Sequence, residues 1–113
     1  MQVALMISLL FLFVGILEII MGIPLYLEKI KPNQLYGFRV KKTLSNKDIW
    51  YKSNKYTGKD LIIAGFVVGI GSFIVLLFIE EFNIVEISLF GLILLLGPLT
   101  IVVIRALNYI QNL

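Results

Sequence analysis

The sequence predicts an all-α membrane protein with three transmembrane helices and a basic cytoplasmic loop that contains a short interfacial helix. Of its 113 residues, 59% are hydrophobic and only 15% are charged. A soluble domain of this size needs more polar surface, because a small body has much surface for its volume. The apolar residues form three long runs, and one polar segment separates the first run from the second. We therefore expect residues 1–113 to form a single membrane domain.

The first apolar run, residues 3–27, carries one charged side chain, Glu18. As a helix it would be about 37 Å long at ~1.5 Å per residue, enough to cross a bilayer core of about 30 Å. No basic segment precedes the run, and the run is too long for the apolar core of a signal peptide. We therefore expect an uncleaved span.

Two further uncharged runs, residues 61–79 and 87–104, are each close to the minimum length for a span. The turn between them contains Glu80, Glu81 and Glu86 and no basic residue. Charged groups at the centre of a bilayer are costly. The two runs therefore predict a helical hairpin instead of one long buried helix.

The polar segment, residues 28–60, contains nine basic and three acidic side chains, which leave a charge of +6. Basic residues beside spans stay in the cytoplasm during insertion. We therefore expect a multi-pass protein of the cell membrane with this segment and the carboxyl terminus inside and the amino terminus outside. Arg105 follows the third span and is interpreted as an anchor that reaches the headgroups.

Small residues in the spans predict close contacts between helices. Ser8, Gly15 and Gly22 recur on one face of the first span, and Glu18 shares that face. Residues 65–69 contribute two further glycines. These patterns are typical of packing between helices of one chain, and they are also compatible with a homo-oligomer. Glu18 has two interpretations: an ion or proton site, or a carboxyl group that only fixes helix packing.

A short helix is expected at the membrane interface within the polar segment. Ser45, followed by Asp48 three residues later, resembles a capping box, and Gly58 is suited to the carboxyl-terminal cap. Trp50 would lie on its apolar side, which suits the headgroup layer. Asp60 is expected to cap the second span.

Polar and aromatic side chains crowd into this segment and form the candidate binding site. They are Asn33, Tyr36, Arg39, Asn46, Trp50 and Asn54. A basic anchor that binds anionic lipid explains the lysines but not this clustering. Amides, a guanidinium group and amphipathic aromatic rings can instead build a polar pocket at the membrane surface, and both interpretations stay open.

The spacing of these residues carries a resemblance to a known family. The pattern is Pro32-Asn33-x-x-Tyr36-Gly37-x-Arg39, then Thr43-Leu44-x-Asn46, then Trp50, Asn54 and Gly58. It resembles the signature of the SdpI family, bacterial immunity proteins against the sporulation-delaying killing peptide and their relatives. The order of one span, a loop and two spans also fits. The best-known members have additional amino-terminal spans, so the chain resembles their carboxyl-terminal module standing alone.

The resemblance implies protection against a membrane-active peptide toxin, with a transcriptional repressor protein as a further partner. It places the binding residues at Asn33, Tyr36, Gly37, Arg39, Asn46, Trp50 and Asn54. In this interpretation Arg39 binds a carboxylate or phosphate group. The asparagines fix the conformation of the loop or line a pocket. Tyr36 and Trp50 set the depth of this pocket in the membrane interface, and Gly37 allows a backbone conformation that other residues adopt at a cost.

Two other functions compete with this one. A small oligomeric transporter or channel would use Glu18 in a pore or a shared cavity. An enzyme at the membrane interface is disfavoured, because the chain has no histidine and no cysteine. We therefore expect no catalysis, no cofactor and no metal site. The lipid bilayer accounts for the basic residues, so nucleic acid is not an expected partner.

Overall fold

The computed structural model describes residues 2–113 and contains three long helices that fit a multi-pass membrane protein. Its helices are α1 (Gln2–Tyr26), α2 (Lys41–Ser45), α3 (Lys47–Leu77) and α4 (Ile84–Ile110), with a 3₁₀ turn at Ile79–Glu81. No strand occurs in the described part of the chain. Each of the three long helices is long and apolar enough to cross a membrane. The predicted all-α fold with three helices of transmembrane length is confirmed.

The helices α1 and α3 run antiparallel and touch through their backbones. A methyl group at Gly65 would lie 2.6 Å from the Gly15 carbonyl oxygen, and one at Gly58 would lie 2.7 Å from the Tyr26 nitrogen. Only glycine fits at such distances. Gly22 completes the row, because a methyl group there would lie 2.8 Å from the Gly58 carbonyl oxygen. The small-residue face of the first span therefore packs against another helix of the same chain.

Helix α4 closes the bundle after the acidic turn. Asn83 begins it with a reciprocal cap, because its side chain accepts a hydrogen bond from the Glu86 amide (2.8 Å) and the Glu86 carboxylate accepts one from the Asn83 amide (3.1 Å). Ala4, Val75 and Ile87 form a small apolar cluster where the three helices meet near this end. The predicted helical hairpin is thus present.

The predicted helix end at Gly58 is wrong, because α3 runs for 31 residues without a break from the polar segment into the second span. Its start also differs from the prediction. Asn46, not Ser45, is the cap, and its side-chain oxygen accepts hydrogen bonds from the amides of Asp48 (2.9 Å) and Ile49 (3.1 Å). Gly58 is needed inside the helix because α1 passes too close for a side chain. The irregular connection is therefore shorter than expected, and residues 27–46 are called the loop below.

Asp60 does not cap a helix, since it lies inside α3. Its carboxylate accepts a hydrogen bond from Nε of Arg105 on α4 at 2.6 Å. The Asp60 side chain is 8% exposed, whereas the Arg105 side chain is 47% exposed. Arg105, expected only as an anchor, therefore also pairs with a buried acid on the neighbouring helix.

The backbone contact of α1 and α3 predicts different effects for two glycines one turn apart. A methyl group at Gly65 would collide with Gly15, whereas one at Gly69 meets no atom within 4 Å. We expect Gly65→Ala to lower the free energy of unfolding by about 1–3 kcal/mol, the usual cost of overpacking. Gly69→Ala should leave it unchanged or raise it, because alanine favours helix. Unfolding in mixed micelles, followed by circular dichroism, measures both, and equal losses would contradict the contact.

Candidate functional site

Trp50 is the residue of α3 against which the loop folds. It lies in the first turns of α3, is fully buried, and its indole N–H donates a hydrogen bond to the Ile30 carbonyl oxygen at 2.8 Å. A buried indole needs such a partner. The side chain therefore belongs to the interior of the protein and offers a ligand no surface.

Asn54 lies one turn after Trp50 and fixes the loop to α3. Its side-chain oxygen accepts a hydrogen bond from the Phe38 amide at 2.6 Å, and its NH₂ group donates to the carbonyl oxygens of Trp50 (2.9 Å) and Phe38 (3.4 Å). One amide group thus binds both backbone polar groups of Phe38, much as a neighbouring strand would. The residue is 2% exposed, so it offers a ligand almost no surface.

Gly37 is required for two separate reasons. Its φ of +115° is one that residues with a side chain rarely adopt. A methyl group there would also lie 2.7 Å from the Asn54 side-chain oxygen and 3.1 Å from the Trp50 ring. Gly37 therefore lets the loop turn and lets it lie directly on α3.

Asn33 folds the first half of the loop into a turn. Its oxygen accepts hydrogen bonds from the amides of Leu35 (2.8 Å) and Tyr36 (2.7 Å), and its NH₂ group donates to the carbonyl oxygens of Lys31 (2.7 Å) and Tyr36 (3.1 Å). The Tyr36 hydroxyl in turn donates to the Met21 carbonyl oxygen of α1. Burial raises the pKa of that hydroxyl above its usual value. The turn is thereby tied to the end of the first span.

Thr43 is a member of the same network that the candidate set did not include. It is fully buried in α2, and its hydroxyl lies 3.0 Å from the Phe38 carbonyl oxygen and accepts a hydrogen bond from the Val40 amide at 2.9 Å. The spaced pattern that contains Thr43 and Asn46 was the available signal. Both residues order the chain where it enters α3.

Arg39 is the one candidate residue with an exposed cationic side chain. Its guanidinium donates to the Gln34 carbonyl oxygen at 2.5 Å, which holds it beside the tip of the turn. Leu35 at that tip is 89% exposed. Most candidate residues therefore shape the interior of the loop. A ligand can reach the outer surface of the loop, which is formed by the candidate Arg39 and by Leu35, a residue outside the candidate set.

Glu18 lies apart from the loop residues, on the face of α1 that packs against α3. It is 8% exposed, and its Oε2 atom has no hydrogen-bond partner among residues 2–113. Gly15 and Gly22 on either side of it touch the α3 backbone. The carboxyl group is therefore enclosed within one chain and does not face a surface that a second copy could share.

Comparison with known proteins agrees with the loop pattern. The model of the SdpI/YfhL protein family matches residues 29–106, which include most of the loop, all of α3 and most of α4. No curated protein matches the chain, and no solved structure does. The match covers the residues whose hydrogen bonds fold the loop.

The bonds of Asn54 predict that its removal frees the loop. We expect Asn54→Ala to lower the free energy of unfolding by about 1–3 kcal/mol, because it leaves the half-buried Phe38 amide without a partner and leaves the Phe38 carbonyl oxygen with only the Thr43 hydroxyl. Trypsin should then cleave after Arg39 at least several-fold faster, which mass spectrometry of timed digests measures. Gln34→Ala is the matched control, since that exposed side chain makes no hydrogen bond within residues 2–113. Equal cleavage of the native chain and Asn54→Ala would show that Asn54 does not hold the loop.

Proposed function

The chain belongs to the SdpI/YfhL family, and on that basis we propose that it is an immunity protein that protects the membrane against a membrane-active peptide toxin. The toxin binds at the exposed surface of the folded loop, formed by Leu35 and Arg39, where the loop meets the bilayer. The observation that carries this proposal is an exposed leucine and an exposed arginine on a loop that hydrogen bonds from Asn33, Trp50 and Asn54 hold in one conformation.

The fixed conformation of the loop favours binding of the toxin. The Leu35 amide is fixed by Asn33, and the Arg39 guanidinium is fixed on the Gln34 carbonyl oxygen. A surface that is already ordered loses little entropy when it binds, so more of the contact energy appears as affinity. An apolar tip beside a cation suits a hydrophobic peptide that carries a carboxylate, which Arg39 binds through its remaining N–H groups.

The inner residues act indirectly in this proposal. Trp50, Asn54 and Gly37 hold the loop on α3, and Asn33 shapes the tip. Their substitution removes function by loosening the loop, not by removing a contact with the toxin. A repressor protein, the second partner that the family resemblance implies, meets the same basic loop from the cytoplasm.

The proposed orientation predicts where two introduced cysteines react. The native chain has no cysteine, so single-cysteine variants give no background. Leu35 is 89% exposed in the loop and Val85 is 65% exposed at the acidic turn. A membrane-impermeant maleimide added to intact cells should label Val85→Cys and leave Leu35→Cys unlabelled until the membrane is permeabilised. The reverse pattern would overturn the orientation.

The immunity proposal predicts a selective loss in Arg39→Ala. In a bacterium sensitive to the sporulation-delaying killing peptide, the native chain should preserve membrane potential and survival after the peptide is added. Arg39→Ala should protect roughly ten- to a hundred-fold less, the effect of losing a charge-assisted hydrogen bond of about 1.5–3 kcal/mol. A potential-sensitive dye measures the response at equal expression.

Lys41→Ala is the matched control, because Lys41 is an exposed cation two residues away. It should protect like the native chain. Depolarisation of the native strain at the same dose as a strain without the protein would refute immunity against this peptide. Equal losses in the two variants would show that only the total charge of the loop matters.

A further inference from the structure

A groove runs between α3 and α4 at the end of the bundle that carries the loop. Its volume is about 410 Å³. The polar end is formed by Lys59, Asp60 and Arg105, and the apolar walls include Ile63, Val67 and Ile101. A cleft with one charged end and apolar walls matches the shape of a phospholipid, which has a charged headgroup and an acyl chain.

Arg105 is held in place at the mouth of this groove. Its Nε atom donates to Asp60 at 2.6 Å, and its guanidinium carbon lies 5.2 Å above the centre of the Tyr56 ring. Tyr56 in turn stacks on Tyr109 at 4.2 Å. The two terminal nitrogens of Arg105 donate to no acceptor in the described chain. A fixed guanidinium with free donors is suited to a phosphate group.

The outer surface of the groove is cationic although it contains an acid. Asp60 is 8% exposed beneath Arg105, which is 47% exposed. Lys59 is exposed beside them and forms no ion pair within residues 2–113. Two cations against one anion leave one positive charge, and an approaching headgroup meets the cations first.

The depth of the groove fits the boundary between headgroups and hydrocarbon. The uncharged run of α3 begins directly after Asp60, and that of α4 ends directly before Arg105. The stacked pair Tyr56 and Tyr109 lies about one turn further toward the water, where tyrosine is favoured. The apolar walls of the groove therefore lie at the level of acyl chains.

We propose that this groove binds one anionic phospholipid, with its phosphate on Arg105 and Lys59 and one acyl chain along Ile63 and Ile101. Basic pockets between transmembrane helices on the cytoplasmic side commonly hold anionic headgroups. A zwitterionic lipid is a weaker ligand, because its own cation faces Lys59 and Arg105. This site is distinct from the loop surface and does not depend on the immunity proposal.

The test measures lipid retention by the full chain purified in detergent. Phosphatidylglycerol and phosphatidylcholine with identical acyl chains are added in equal amounts, and native mass spectrometry counts the lipid that stays bound. We expect at least a tenfold preference for phosphatidylglycerol with one lipid per chain. Equal retention of the two lipids would show ordinary annular lipid and would overturn the proposal.

Variants locate the site. Lys59→Gln should reduce the preference several-fold, whereas Lys47→Gln, which removes an exposed lysine at the start of the same helix, should leave it unchanged. Asp60→Asn combined with Arg105→Gln should abolish the preference for phosphatidylglycerol. Both residues are replaced together so that the buried Asp60 carboxylate is not left without its partner. Equal reductions in Lys59→Gln and Lys47→Gln would place the effect in the overall positive charge of the polar segment, residues 28–60, and would contradict a site in the groove. The two lysine variants decide this even where the double variant fails to fold.

Discussion

The backbone contact between α1 and α3 determines where the loop folds. The contact extends to Gly22 and Gly58, at the end of the first span. Because the helices touch there, the first turns of α3 continue beyond the end of α1 and form a platform. The loop leaves α1 beside this platform and has to return across it to reach Asn46. A side chain at Gly58 would separate the platform from α1 and remove the surface on which the loop folds.

The composition of the loop follows from the backbone groups that it has to satisfy. An irregular segment at a membrane surface has amide and carbonyl groups without helical partners, and such groups are costly when buried. Asn33 and Asn54 each bind several of them, and the hydroxyl of Thr43 and the indole of Trp50 bind others. The polar residues that look like a ligand pocket in the sequence are therefore largely the internal structure of the loop. In the proposed function, the toxin is therefore bound by the outer side chains, above all by Arg39.

The membrane spans and the charged segments of the chain could be predicted from the sequence, whereas contacts between residues far apart in the sequence could not. Hydropathy and charge are properties of continuous segments, so the three spans, the hairpin and the basic segment follow directly from them. Glycine is ambiguous, because Gly58 suits a helix end as well as a close helix contact, and only the position of α1 decides between them. The ion pair of Asp60 and Arg105 joins residues 45 positions apart and leaves no local pattern. Trp50 suits a membrane interface and a buried core equally well, so its place depended on the fold of the loop.

The loop depends on the continuity of α3 through Gly58, and backbone amide exchange in micelles tests this continuity most directly. We expect slow exchange at every amide from Tyr56 to Leu61, since these residues lie inside one helix that is packed against α1. The native chain, uniformly labelled with ¹⁵N, gives a rate for each amide by nuclear magnetic resonance. Fast exchange confined to the amides around Gly58, with protected segments on both sides, would show two separate helices. The loop would then lack the platform on which its bonds depend.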